Sequence, residues 1–170
     1  MFTDNAGLDQ LLQDALLALK NAAGQAGHPF RTPILATLNG NKPELRTIIL
    51  RDFLADPYRL VFFTHGKSPK VAQIRNNPKT ACSVYDSRSA SQLRINGKAT
   101  IHQADDISRH YWPMVPLVRY ADYNPKIVPG NPLTETADQD VSIPPDSLFA
   151  VVSLEIQEID ILLIKPEGHK

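Results

Sequence analysis

Seven of the fourteen prolines (Pro113, Pro116, Pro125, Pro129, Pro132, Pro144 and Pro145) fall between positions 113 and 145. Proline lacks the amide that a helix interior or a central strand needs, so 113–145 is neither a long helix nor the middle of a sheet. It reads as a proline-rich loop between two ordered blocks, of a length usually tied to function or to covering a partner. The tail beyond it, about 25 residues, is too short to fold alone, so 1–170 reads as a single domain.

A chain of 170 residues can bury a core without disulfide or metal staples. Its 18 Lys and Arg balance 18 Asp and Glu, which argues against a protein that coats nucleic acid or an anionic membrane and makes any basic site local. An aliphatic run such as Ile161 to Ile164 is far short of the roughly 20 residues of a spanning helix. The single cysteine, Cys82, cannot form an internal disulfide or a multi-cysteine metal site, and the N-terminus shows no secretory signal. The expected compartment is therefore the cytoplasm.

Leu8, Leu12, Ala15, Leu16 and Leu19 recur at helical spacing and predict an N-terminal helix within 1–27, ended near Gly24 and Gly27. Strand-like runs follow at Ile34 to Leu38, Leu45 to Phe53 and Arg59 to Thr64, separated by Asn39-Gly40 and Asp56-Pro57, and they read as an antiparallel meander. Ser68 and Pro69 open a short helix that Asn76, Asn77 and Pro78 stop. Further strands are expected at Thr80 to Tyr85, Gln92 to Ile101, Ser147 to Glu155 and Glu158 to Ile164, with a second short helix opened by Asp105 or Asp106. Along Gln92 to Ile101, Leu93, Ile95, Ala99 and Ile101 share the apolar face. Six or seven strands without regular strand-helix alternation predict a mainly β antiparallel barrel with short helices.

Chemistry concentrates between Arg46 and Lys70. Arg46 and Arg51, Thr64 at a strand end, and Ser68-Pro69-Lys70 at a helix start are the groups that grip a phosphate. Arginine presents fixed charged donors, and a helix N-terminus adds free amides and a favourable dipole. The plainer reading, in which Ser68 only caps the helix and the arginines are solvated, stays open and slightly ahead on motif chemistry alone. Five positions separate Arg46 from Arg51, so one regular strand would aim them at opposite faces. A shared site needs a bulge, or backbone contacts from part of the strand.

The string Arg46-Thr47-Ile48-Ile49-Leu50-Arg51, then Phe62-Phe63-Thr64, Ser68-Pro69-Lys70, Asn76-Asn77-Pro78 and Gln92 before LRINGKAT resembles the pyridoxamine 5'-phosphate oxidase-like, FMN-binding split-barrel family. The likeness covers roughly 30–105, and Phe149 to Ile164 loosely. It implies a six- to seven-stranded antiparallel Greek-key split β-barrel, a homodimer with FMN at the subunit interface, and a flavin-dependent oxidoreductase acting with a small-molecule substrate or electron donor. By position, Arg46 and Lys70 would hold the flavin phosphate with Thr64 or Ser68. The stretch Thr47 to Leu50, with Ile48 and Ile49, would line the ring with its backbone, Phe63 would belong to the same site, and Arg51 would lie near the ring or the substrate. Gln92 would bond the flavin's polar edge from the same or the partner subunit.

Pro69 stands where the family commonly has arginine, which removes or replaces one phosphate contact. The segments HYWPMVPLVRY and VSLEIQEIDILLIKPEGHK also depart from the oxidase's substrate-binding pattern, which points to a related flavoprotein with another substrate. A flavin carrier or sensor without turnover, and a relative using deazaflavin or haem, are the competing readings; no nucleic-acid or membrane partner is expected. The five histidines lack metal spacing, and Cys82, Tyr111 and Trp112 are expected to pack rather than react.

Overall fold

In the computed structural model, which describes residues 7–123, 148–165 and 168–169, helix α1 spans Leu8–Gly24 and buries Ala15, Leu16, Leu19 and Ala22 on one face. Leu8 and Leu12, predicted on the same stripe, remain exposed. Arg31 donates to the carbonyls of Ala22 and Ala23, closing the C-terminal end of α1 with a charge that suits the helix dipole. No helix among the described residues is long and apolar enough to cross a membrane.

The strands are β1 (Ile34–Asn39), β2 (Lys42–Thr47), β3 (Leu50–Ala55), β4 (Tyr58–His65), β5 (Lys79–Asp86), β6 (Ser91–His102), β7 (Phe149–Lys165) and β8 (Gly168–His169). Seven of them form one antiparallel sheet in the order β2-β1-β5-β6-β7-β4-β3, and β8 pairs with the end of β7. Helix α2 spans Pro69–Asn76 and α3 spans Asp106–Tyr111. This mainly β sheet is a split barrel: β2 and β3, its two edges, are consecutive in the chain yet unpaired with each other.

That arrangement corrects three expectations. The run from Leu45 to Phe53 is not one strand, because it breaks at Ile48 and Ile49, where the Ile48 amide donates to the Pro33 carbonyl (2.9 Å). The first segments are therefore not a meander, since β2 pairs with β1 while β3 pairs with β4 at the other edge. The two closing strands are one 17-residue strand, β7, whose register shifts opposite Asn96 and Gly97 and leaves Gln157 as the extra residue. A local bulge bent that strand without ending it. Of 113–145, the described part forms 3₁₀ turns at Trp112–Met114 and Leu117–Tyr123, and 124–145 lies outside the described residues.

The main core fills the barrel with Leu35, Leu50, Leu60, Phe62, Ile74, Leu93, Ile95 and Leu154. A second cluster, Val61, Tyr111, Val115, Tyr123, Phe149 and Val151, lies across β4 and β7 from it. Both faces of β4 are thus covered, which explains the unbroken apolar run Leu60 to Phe63. On β6 the predicted alternation holds from Leu93 to Ala99. Cys82 is buried in the main core and its thiol is pushed up to about 12 by that burial, so it packs and does not react at neutral pH.

Gly97 sits at the β7 bulge, where an added Cβ would run into the Glu155 carbonyl oxygen. Gly97→Ala is expected to destabilise the fold by about 2–3 kcal/mol, read as a lower denaturation midpoint at unchanged slope.

Candidate functional site

Where the barrel is split, a cavity of about 530 Å³ opens between the two edge strands. β2 contributes Glu44 to Thr47, the link contributes Ile48 and Ile49, β3 contributes Arg51, and β4 contributes Phe63. Ser68, Pro69 and Lys70 enter from the start of α2, and Tyr123 closes one side. A second cavity of about 270 Å³ shares Ile49, Arg51, Phe63 and Tyr123 and continues past Met114, Pro116 and Arg119.

Arg46 is fixed by a polar network inside the barrel mouth. Its guanidinium donates to Thr37 Oγ1, to Gln73 Oε1 (3.0 Å) and to Glu44 Oε2 (3.4 Å). Thr37 in turn donates to Gln73 Oε1 (2.6 Å), and Gln73 donates to Glu44 Oε2 (2.8 Å). Hydrogen bonds from Asn39 and Gln73, more than Arg46 itself, hold the Glu44 carboxyl below its ordinary range. Burial lowers Arg46, with Glu44 offsetting part of that, yet an arginine stays charged throughout.

Lys70 lies on the other side of the same opening. Its ammonium donates to Ser68 Oγ (2.6 Å) and Thr64 Oγ1 (3.0 Å), and burial, with Arg46 nearby, pushes it down to about 8. Ser68 caps α2 by position only; its hydroxyl serves Lys70 rather than a helix amide. His65 ends β4, buried, with Nδ1 accepting from the Lys67 amide (3.1 Å), so it is a structural member of this loop. Burial, then Lys67 and Lys70, lowers His65 and favours the neutral ring.

The spacing conflict between Arg46 and Arg51 is resolved twice over. They sit on different strands, and the β3–β4 register shifts between Leu50 and Asp52, leaving Arg51 as the bulged residue. The Arg51 guanidinium lies 5.6 Å from the Phe63 ring centre. Arg46, Thr47, Ile48, Ile49, Arg51, Phe63, Ser68 and Lys70 therefore line one cavity, with Thr64 joined through Lys70. Gln92 is the exception: its amide donates to Ser83 Oγ (3.0 Å) between β5 and β6, away from that cavity in the single chain.

Sequence reasoning missed Thr37, Gln73 and Glu44, which hold Arg46. Thr37 has one signal, since it shares the inward parity of Leu35 on an apolar strand. Gln73 has none, because a lone glutamine on a short helix is ordinary.

The donor set suits a phosphate at one end: Arg46, Lys70 and two hydroxyls converge there, and an apolar wall with extended backbone runs on to Phe63. A split barrel with such an opening at its seam defines a class of proteins with an anion-accepting cavity between the two sheet edges. Residues 11–103 match the family model described as pyridoxamine 5'-phosphate oxidase, FMN-binding domain, and the chain belongs to that family. It is 34% identical over 79 residues to the pyridoxine/pyridoxamine 5'-phosphate oxidase 2 of Hydrogenovibrio crunogenus, covering 46% of this chain and 36% of that one. To the pyridoxine/pyridoxamine 5'-phosphate oxidase of Pelagibacter ubique it is 38% identical over 64 residues, 37% of this chain and 30% of that one. The chain thus spans about a third of the curated relatives it matches. The crystal structure of a pyridoxamine 5'-phosphate oxidase-related, FMN-binding protein from Nostoc punctiforme shares the fold, with a TM-score of 0.70 at 22% identity over 97% of this chain and 88% of that one.

A half-buried lysine depressed to about 8 costs stability while it is charged in the fold and fully solvated in the unfolded chain. Because the folded value lies below the unfolded one, the cost is present at neutral pH and vanishes as pH rises towards 10.5. Lys70→Met is expected to raise the thermal midpoint by about 2–4 °C at pH 7, with the gain gone above pH 10.5, in scanning calorimetry at both pH values.

Proposed function

We propose that the chain binds FMN in the seam cavity and acts as an FMN-dependent oxidoreductase on a small molecule. The observation that carries this is the convergence of Arg46, Ser68 and Lys70 at one end of an otherwise apolar cavity, within a domain of the FMN-binding family. When bound, FMN supplies the two-electron redox chemistry.

The chain's own residues do the holding. Arg46, pre-set by Thr37, Gln73 and Glu44, and Lys70, pre-set by Thr64 and Ser68, take the phosphate oxygens with charge-assisted bonds. The amides at the start of α2 add donors, and Pro69 lacks one. Thr47, Ile48, Ile49 and Phe63 exclude water from the ring, and Arg51 sets a positive charge beside it.

The same proposal includes a homodimer. Gln92 lies outside the cavity of its own chain, and Leu8, Leu17 and Leu45 are exposed apolar residues that a second copy would cover. A cytoplasmic location and a substrate other than a pyridoxine phosphate belong to this reading; the divergent HYWPMVPLVRY segment supports the latter.

Arg46→Ala with Lys70→Ala is expected to weaken FMN about 100-fold or more while leaving riboflavin affinity unchanged, measured by flavin fluorescence quenching. Unchanged FMN affinity would overturn the site. If no nicotinamide donor or other reductant exchanges electrons with the bound flavin, the carrier reading replaces the enzyme.

Lys70 must be an ammonium to bind phosphate, so FMN affinity should fall as pH rises through about 8 while riboflavin affinity stays flat. Titrations at pH 7 and pH 10 are expected to differ by roughly tenfold for FMN.

A further inference from the structure

Arg51 is the bulged residue of β3, and its placement is tied to that of its neighbour Asp52. A regular strand would put Asp52 on the same face as buried Leu50, with its carboxylate in the main core. The bulge instead pairs Asp52 with Val61, whose side chain belongs to the second cluster, and turns the carboxylate towards α3. There Asp52 Oδ2 accepts from the buried Tyr111 hydroxyl (2.7 Å), while Oδ1 accepts from the Phe53 amide (2.8 Å). The Tyr111 ring meets the Phe63 ring at 5.5 Å, and Phe63 lies under the Arg51 guanidinium. The contacts close a loop: Arg51, Phe63, Tyr111, Asp52 and back through one peptide bond.

Among the described residues, no acidic side chain and no hydrogen-bond acceptor pairs with the Arg51 guanidinium, although it lines both cavities. Asp52, its chain neighbour, is instead occupied by Tyr111. We propose that Tyr111 is a positioning residue for Arg51: through Asp52 it holds the β3 bulge and turns the neighbouring carboxylate away, so that the Arg51 guanidinium faces the ligand cavity. The step from Arg51 to bound flavin rests on the FMN reading above; the clamp itself rests on these contacts alone.

Tyr111→Phe keeps the ring against Phe63 and removes only the donor. In ¹⁵N-labelled protein without added flavin, the Arg51 Nε–H resonance, identified by its loss in Arg51→Gln, is expected to move to the position of a solvated arginine in Tyr111→Phe. An unmoved resonance overturns the clamp, even if stability falls. Should Tyr111→Phe fail to fold, Asp52→Asn, which keeps an acceptor, is compared with Asp52→Ala. The clamp predicts a shifted resonance only in the alanine variant, and equal resonances overturn it. In FMN-loaded protein, Arg51→Gln should lower the ratio of reduced to oxidised FMN affinity about tenfold, because the reduced ring carries negative charge near N1. Tyr111→Phe should lower it several-fold, and the double variant no further than Arg51→Gln; additive losses overturn the coupling. If the wild-type chain takes up no FMN, the functional reading fails by itself, and the resonance measurement still decides the clamp.

Discussion

Two residues, Ile48 and Ile49, join strands that lie at opposite edges of a seven-stranded sheet. Three peptide steps from Thr47 to Leu50 span at most about 11 Å, so the sheet must curl until its edges nearly meet. Everything distinctive about the molecule stems from that tether. The seam cannot zip fully, the edge strands keep backbone groups free of a ladder, and the cavity forms where the two edges diverge. A link a few residues longer would allow an open sheet with no cavity at its ends.

The seam gathers positive charge that the fold does not neutralise uniformly. Arg46 is embedded in a network whose polar groups satisfy one another, so its geometry is fixed before any ligand arrives. Among the described residues Lys70 is held by the Ser68 and Thr64 hydroxyls, and it is pushed down by burial and by Arg46. Arg51 rests on an aromatic face. These are three graded environments for a cation: paired, hydroxyl-solvated and stacked. An anion with a phosphate at one end and an electron-poor ring along the wall would satisfy them together, as the proposed FMN would.

The family match covers residues 11–103, which contain the seam, the network and α2. The segment around Tyr111 to Tyr123 falls beyond it and carries an aromatic cluster of Trp112, Tyr120, Tyr123 and Phe149 packed on β4 and β7.

Local order was legible in the sequence. The alternation on β6, the α1 stripe from Ala15 to Leu19, the Ser68-Pro69 start of α2 and the Asp105 cap of α3, which forms a capping box with Ser108, are all short-range patterns that sterics and solvent dictate residue by residue. The residue types that meet at the polar end of the cavity, Arg46, Ser68 and Lys70, were legible too, because charge and hydroxyl type are properties of the side chain itself. What the chain alone left open was everything that depends on partners distant in sequence. The break at Ile48, the bulge at Arg51 and the diversion of Asp52 to Tyr111, 59 positions away, exist because β3 must pair with β4 and pack against α3. The support of Arg46 by Gln73 likewise needs α2 folded across the end of β1. Residue types and periods belong to the sequence; which groups share a dielectric environment and a direction is decided only when the barrel closes.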